Sequence, residues 1–369
     1  MSLKRILIFS LAYFPTEGGA EIAVKEIVKR IPDIEFDIVT MCFDDERETE
    51  EKFSNGTIYR INTSKNGYPF KAFLFAKKLH RDRLYDATWA IMANWAGFAA
   101  LFFKFRFPQV RYILSLQEGD PIAYIKRKVW FVYPLFRMIF LKADIIQAIS
   151  NFLADWAREM GYQGQIEVIP NGVDVKNFQM TTDNRQLHNG TVLITVSRLV
   201  EKNAVGDIIN ALKYLPNNVK LQILGSGSLE KDLKILASHV ELQDRVEFLG
   251  FIPTQEIPVY LHEADIFVRP SLSEGMGNSF IEAMAAGLPI IATPVGGIPD
   301  FLKDGETGLF CKVKDPKSIA EQVERLMNDD ILRQKLKENG QKLVREKYDW
   351  NLIAKEMKSQ VFDLPAAGR

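Results

Sequence analysis

A mixed α/β fold of two doubly wound units is what this 369-residue chain predicts from its pattern of apolar segments. Three observations carry that prediction. Short apolar runs of strand length alternate with helical stretches, the series starts afresh near Thr191, and the length suffices for two cores of ordinary size. Strands separated by helices need crossover connections, which build parallel sheets with helices on their faces.

In the first series, strands are expected near Arg5–Ser10, Phe36–Thr40, Thr88–Met92, Arg111–Ser115, Asp144–Ile149 and Ile166–Ile169. The stretch Gln179–Gly190 is polar, lacks apolar periodicity and reads as the linker. The second series has strands near Thr191–Ser197, Lys220–Leu224, Arg245–Leu249, Asp265–Val268 and Pro289–Ala292. The domains are therefore expected at 1–178 and 190–349. Two such units joined by one linker should face each other across a cleft, with the loops after the strands turned to the gap.

Composition narrows the class. Hydrophobic residues make up 47% and charged residues 25%, as in globular proteins. Cys42 and Cys311 are the two cysteines and lie far apart, so neither a disulfide framework nor a Cys-type metal site is expected, and a reducing compartment fits. No apolar stretch with a small-residue cleavage site opens the chain and no run of about 18 apolar residues occurs, so neither a signal peptide nor a spanning helix is expected. A cytoplasmic protein follows as the expectation. The zero net charge hides a polarity: between Arg60 and Lys142 fifteen Lys and Arg face four acids, a balance of 15 − 4 = +11. One face should seek anions.

Chemistry concentrates around Glu274 and Glu282, in Ser273-Glu274-Gly275-Met276-Gly277-Asn278-Ser279-Phe280-Ile281-Glu282. The first carboxylate precedes a Gly-x-Gly turn and the second falls about a turn inside the helix that follows. Such a turn offers backbone N–H groups and the positive end of a helix dipole to a phosphate, and flanking carboxylates accept hydrogen bonds from sugar hydroxyls. Arg198 and Lys202, four apart after the strand Thr191–Ser197, could neutralise a diphosphate as it leaves. Gly18-Gly19 and Gly225-Ser226-Gly227 follow strands and permit close approach of a ligand. Taken singly, each has a plainer reading: an acidic first turn, a charged loop, an ordinary turn. The chain has no Gly-x-Gly-x-x-Gly fingerprint, no Gly-Lys-Ser/Thr loop and no Asp-x-Asp pair, and its four His are scattered. Neither a bound cofactor nor a metal is expected.

Together these segments resemble the retaining glycosyltransferases of family 4, whose GT-B fold pairs two Rossmann-like domains. The resemblance lies in Ser197-Arg198-Leu199 with Lys202, Leu224-Gly225-Ser226-Gly227, Phe248-Leu249-Gly250, Ala264-Asp265-Ile266-Phe267-Val268, the Glu-x7-Glu of Glu274 and Glu282, Gly296-Gly297-Ile298-Pro299 and Asp304-Gly305-Glu306-Thr307-Gly308. In the first half, Gly18-Gly19-Ala20-Glu21 and Ile169-Pro170-Asn171-Gly172-Val173-Asp174 match too. It implies a retaining hexosyltransferase using a nucleotide-diphospho-sugar, UDP-linked before GDP-linked. Arg198 and Lys202 would clamp the diphosphate, Glu282 would bind the ribose, and Glu274 would hold the transferred sugar. Backbone from Gly275, Met276, Gly277, Asn278 and Ser279 would meet phosphate and sugar. Gly18 and Gly19 would close from the other domain, backbone around Leu249 would read the base, and the segment 350–369 would cross back to the first domain.

In two places the chain departs from the family, the smaller being Ser197 where a glycine usually precedes the arginine. Many relatives carry a His after a strand of the first domain, where this chain has Ser115-Leu116-Gln117-Glu118-Gly119-Asp120. Gln117, Glu118 and Asp120 are therefore the candidates on the acceptor side. Residues 122–142 join Lys126-Arg127-Lys128 to Trp130, Phe131, Tyr133, Phe136 and Phe140, and Phe70–Tyr85 and Phe102–Phe107 share that character. Cations beside aromatics suit a membrane surface, and no nucleic-acid motif accompanies them, so peripheral membrane contact and a glycan or lipid-linked acceptor are expected. A nucleotide-sugar-binding protein without transfer and a nucleotide-sugar epimerase are the alternatives.

Overall fold

The computed structural model describes residues 4–15, 18–43, 48–178 and 190–363. Of the expected linker, all but Gly190 lies outside them. The chain forms two compact units: one comprises residues up to Asn171 together with the segment from Trp350, and the other is Gly172–Asp349.

The first unit holds eight strands: β1 (Lys4–Phe9), β2 (Ile34–Met41), β3 (Glu50–Phe53), β4 (Gly56–Ile61), β5 (Ala87–Ile91), β6 (Arg111–Leu116), β7 (Ile145–Ala148) and β8 (Gln165–Val168). They order β3-β4-β2-β1-β5-β6-β7-β8, all parallel except the hairpin of β3 with β4. Ile6, Leu7, Ile8 and Phe9 are wholly buried, which is why β1 reads as a continuous apolar run. Between the strands lie α1 (Gly19–Lys29), α2 (Tyr68–Arg83), α3 (Trp95–Arg106), α4 (Ile122–Lys128), α5 (Tyr133–Leu141) and α6 (Asn151–Glu159). The hairpin was not expected from sequence. Three of the four β3 residues are charged, as suits an exposed edge strand, so no apolar pattern marks it.

In the second unit, β9 (Thr191–Val196), β10 (Val219–Leu224), β11 (Val246–Gly250), β12 (Ile266–Arg269), β13 (Ile290–Ala292) and β14 (Leu309–Phe310) order β11-β10-β9-β12-β13-β14. All neighbours are parallel. Its helices are α7 (Val205–Ala211), α8 (Glu230–His239), α9 (Ile257–Glu263), α10 (Asn278–Ala285), α11 (Pro316–Asn328) and α12 (Asp330–Lys347). Leu193, Leu221 and Val268 of the strands pack with Ile208, Leu233 and Val323 of the helices in one core. The two-residue β14 is too short to leave a sequence pattern.

After α12 the chain enters α13 (Trp350–Glu356), and Trp350, Ile353, Met357 and Phe362 join the core of the first unit. The Phe362 ring lies 5.7 Å from Phe36 and 5.1 Å from Trp89. The units divide ahead of residue 178 because Val173 N donates to Tyr348 O at 2.7 Å and bridges Asp349, tying Gly172–Phe178 to the second unit. In each sheet the order reverses at the first strand: β1 lies between β2 and β5, and β9 between β10 and β12. Open α/β sheets bind ligands beyond the carboxyl ends of the strands at such a reversal.

Candidate active site

Beyond β9, at the reversal of the second sheet, the backbone of Ser197–Leu199 is held from two sides. Ser197 N donates to Leu224 O at 3.0 Å and Leu199 N to Ser226 O at 2.9 Å, while Leu199 O accepts from Leu229 N at 3.0 Å. Gly225 has φ 128°, and a Cβ on it would lie 2.0 Å from Ser197 O; one on Gly227 would lie 2.4 Å from Leu199 O. These glycines let the β10 loop seat directly on the loop that carries Arg198. Arg198 itself is exposed. Buried Asn203 donates from Nδ2 to Arg198 O at 2.6 Å, and Leu272 N donates to Lys202 O at 2.7 Å. The cation loop is thereby joined to the segment that follows β12.

That segment begins with Arg269, which is 8% exposed. Its Nη1 donates to Ser279 Oγ at 2.7 Å, and its Nη2 to Glu274 Oε2 at 2.9 Å and Asn203 Oδ1 at 3.2 Å. Its guanidinium also lies 5.3 Å from the centre of the Phe280 ring. Arg269 did not stand out in the sequence, although a cation ending the apolar run Ile266-Phe267-Val268 just before Pro270 is a signal that could have been used. Buried Glu274 is braced through its backbone as well: its O accepts from Gly297 N at 3.1 Å. Gly296 has φ 56°, and a Cβ there would come within 1.8 Å of Glu274 O, so glycine is required.

Gly277, with φ 87°, forms the N-terminal boundary of α10, and no side chain caps the helix. Gly275, Met276 and Ser279 are buried, and Asn278 is half-buried. Ser279 serves Arg269 through its hydroxyl, which leaves its backbone as the group for a ligand. Glu282 sits five residues into the helix, half-buried, and desolvation pushes its carboxyl up to about 7 while the charge of Arg269 opposes the rise. Leu249, half-buried near the end of β11, leads into exposed Phe251. A helix N-terminus between two carboxylates, near a loop with two cations, can receive a phosphorylated, hydroxyl-rich ligand.

In the first unit, Gly18 caps α1 in an extended conformation and exposed Gly19 begins the helix. A Cβ on Gly18 would meet Glu21 Oε2 at 2.5 Å. Beyond β6, buried Glu118 accepts from Ala93 N at 2.5 Å through Oε1 and from Gln117 N at 2.9 Å through Oε2. Burial pushes its carboxyl up to about 7 against those donors. Gln117 Oε1 accepts from Asn171 Nδ2 at 3.1 Å, whereas Asp120 is exposed. Gln117 and Glu118 thus meet in one buried cluster, and the charge of exposed Asp120 acts on Glu118. Among the described residues no group of three or more His, Cys, Asp or Glu is placed to hold a metal, and no helix is long and apolar enough to cross a membrane.

The basic-aromatic segments fold as helices. Phe70 on α2 is 62% exposed and stacks on Phe102 of α3 at 5.2 Å, and Trp130, just after α4, is 74% exposed beside exposed Phe131. Arg60, Arg83 and Lys104 are drawn into ion pairs with Glu51, Asp37 and Asp144. Lys71, Lys78, Arg106, Arg127 and Lys128 remain on the surface.

Comparison with known proteins agrees over both halves. The family described as "Glycosyltransferase Family 4" matches residues 17–177, and "Glycosyl transferases group 1" matches residues 180–343. An uncharacterised glycosyltransferase of Methanocaldococcus jannaschii is 28% identical over 362 residues, 95% of either chain. The capsular polysaccharide biosynthesis glycosyltransferase CapM of Staphylococcus aureus is 30% identical over 268 residues, 66% of this chain and 68% of its own. Among solved structures, sucrose-phosphate synthase of Thermosynechococcus elongatus has a TM-score of 0.87 at 21% identity, covering 97% of this chain and 98% of its own. HepE of Anabaena, in complex with UDP and glucose, has a TM-score of 0.82 at 20% identity, covering 98% and 100%. With two parallel-sheet Rossmann-like domains and family matches along both, the chain belongs to the family 4 glycosyltransferases of GT-B fold.

Proposed function

We propose that this glycosyltransferase moves a hexose from a nucleotide-diphospho-sugar, a UDP-sugar before a GDP-sugar, to a glycan or lipid-linked acceptor of the cell envelope, with retention and without a metal. The observation that carries this reading is the convergence, at the reversal of the second sheet, of Glu274, the uncapped start of α10 and Glu282, joined through Asn203 to the loop of Arg198 and Lys202. Arg198 and Lys202 take the diphosphate and meet the charge that grows on it as it departs, work that a metal ion can do elsewhere. Glu282 accepts from the ribose hydroxyls, Glu274 accepts from hydroxyls of the transferred sugar, and N–H groups of Met276 to Ser279 meet phosphate and sugar.

In the step itself the bond from the anomeric carbon to the phosphate oxygen breaks and a bond to the acceptor oxygen forms on the same face. The acceptor's proton passes to the leaving phosphate. Catalysis then rests on positioning and on charge stabilisation, so no separate nucleophile is required. The capsular polysaccharide role of the Staphylococcus relative and the UDP and glucose held by the Anabaena protein support the envelope acceptor and the UDP donor. Exposed Phe70, Trp130 and Phe131 among surface cations suit a peripheral position on an anionic membrane.

The test is mass-spectrometric detection of sugar transfer from UDP- and GDP-sugars to an envelope lipid extract, with chelator present and Glu274→Gln as control. Transfer that vanishes in the variant supports the enzyme. Nucleotide-sugar binding without transfer would leave a binding protein, and sugar isomerisation without an acceptor would leave an epimerase.

A further inference from the structure

Arg269 is a buried cation at the end of a buried strand, and its setting asks for an explanation. Taking a guanidinium and a carboxylate out of water costs several kcal/mol per ion, roughly, and their attraction offsets this only when the remaining donors and acceptors are satisfied. Stability alone is therefore a weak reason for the pair of Arg269 with Glu274. The two terminal nitrogens of Arg269 reach three partners on three different segments: Ser279 in the first turn of α10, Glu274 in the turn before it, and Asn203 in the loop after β9. Asn203 hands the link on, since its Nδ2 holds Arg198 O. A second strut runs alongside from Leu272 N to Lys202 O. One planar fork thus joins the carboxylate read as the sugar ligand to the loop that carries the two cations, and its charge also acts on Glu282.

Building on the donor-site reading above, we propose that Arg269 is a positioning residue: it fixes the Glu274 carboxylate and couples it through Asn203 to the Arg198–Lys202 loop, so that the sugar-holding and diphosphate-holding groups are set as one unit. Arg269 has no direct contact with the substrate in this account. Its planar fork of two terminal nitrogens is what a lysine cannot copy, because an ammonium reaches Glu274 as a point charge but cannot hold Asn203 and Ser279 in the same plane.

The experiment compares wild type with Arg269→Lys, Arg269→Met, Asn203→Ala and the doubles of Asn203→Ala with each Arg269 variant, reading kcat, donor KM and thermal midpoint. Hydrogen exchange is followed over residues 196–204 and 271–279. Arg269→Met should lower kcat about 100-fold while donor KM rises by less than about tenfold, since a small misplacement of a reacting group has that effect. Arg269→Lys should recover at most about tenfold of that loss, and adding Asn203→Ala to either Arg269 variant should cost much less than the product of the single effects. Both segments should exchange faster together in Arg269→Lys and Arg269→Met, with β1 and β2 unchanged.

The proposal is overturned if Arg269→Met turns over within about threefold of wild type, if lysine restores wild-type turnover, or if the effects multiply. If Arg269→Met does not fold, Arg269→Lys and its double with Asn203→Ala decide by the same non-additivity. If wild type transfers no sugar at all, the glycosyltransferase reading fails on its own, and hydrogen exchange still decides on Arg269: linked loosening of the two segments supports the coupling, and independent behaviour overturns it.

Discussion

Glu274 and Arg269 form a buried ion pair, with 2.9 Å between Oε2 and Nη2, at the carboxyl end of β12, the neighbour of the strand at which the second sheet reverses. The pair occupies one oxygen of Glu274, and in the proposed donor site the other oxygen accepts from a sugar. Glu274→Gln keeps the shape and removes the charge, so turnover should fall by about 10²-fold or more while nucleotide affinity stays within a few-fold. Glu274→Ala should add a stability loss of about 3 kcal/mol by stranding the guanidinium. Isothermal titration with UDP and chemical denaturation separate the two effects.

The second carboxylate gives a pH dependence. Desolvation pushes Glu282 up to about 7, so it is ionised above that pH and neutral below it. If it accepts from ribose hydroxyls as a carboxylate, donor kcat/KM should fall as pH drops from 8 to 6, with an apparent midpoint near 7. The limb should be absent in Glu282→Gln, whose rate should be low and flat. A kcat/KM profile across that range checks both.

Strand positions and site were legible to different degrees. The central strands of both sheets show as apolar runs because both their faces are buried, and Glu274, Glu282, Arg198 and Lys202 stand out through their spacing. The β3–β4 hairpin and β14 were invisible, one because its edge strand is charged and the other because two residues carry no period. Arg269 was missed for a different reason. Its partner Asn203 lies 66 residues away in sequence and Glu274 and Ser279 lie 5 and 10 residues on across a turn, so only the fold brings the three to one guanidinium.

Close packing around Glu274 supplies a test that leaves every polar side chain intact. A methyl group on Gly296 would press within 1.8 Å of Glu274 O, at a φ of 56° that disfavours any side chain. Gly296→Ala should destabilise the protein by about 1–3 kcal/mol through strain and steric displacement. Turnover should fall with it, because the displaced backbone carries Glu274. Thermal melts beside kcat resolve this, and a variant with wild-type kcat would contradict the bracing role of the glycine turn.

Glu118 predicts a stability trend of its own. Its folded-state carboxyl is raised to about 7 from an ordinary value near 4.5, so the folded protein holds a proton that the unfolded chain releases between those values. The resulting stability is fully present below about pH 4.5 and is lost as pH rises through 7, about 3 kcal/mol in all. In Glu118→Gln that slope should flatten, although a constant cost remains because one backbone N–H of Ala93 or Gln117 loses its acceptor. Denaturant unfolding at pH 5 and pH 8 measures the difference.

Surface chemistry of the first domain leads to the last prediction. Trp130 and Phe131 are exposed beside Arg127 and Lys128, an arrangement in which apolar rings can enter the headgroup boundary while cations meet anionic lipid. Each surface cation is worth about 1 kcal/mol near an anionic membrane. Arg127→Glu with Lys128→Glu should therefore weaken binding to phosphatidylglycerol vesicles by at least about tenfold and remove most of its salt dependence. Trp130→Ser with Phe131→Ser should weaken it at every salt concentration, because the ring contribution is not screened. Neither pair is among the proposed donor-site residues, so transfer to a water-soluble acceptor should be unchanged in both. Vesicle co-sedimentation that finds wild type unbound, or both pairs bound as wild type, would remove the membrane from the account.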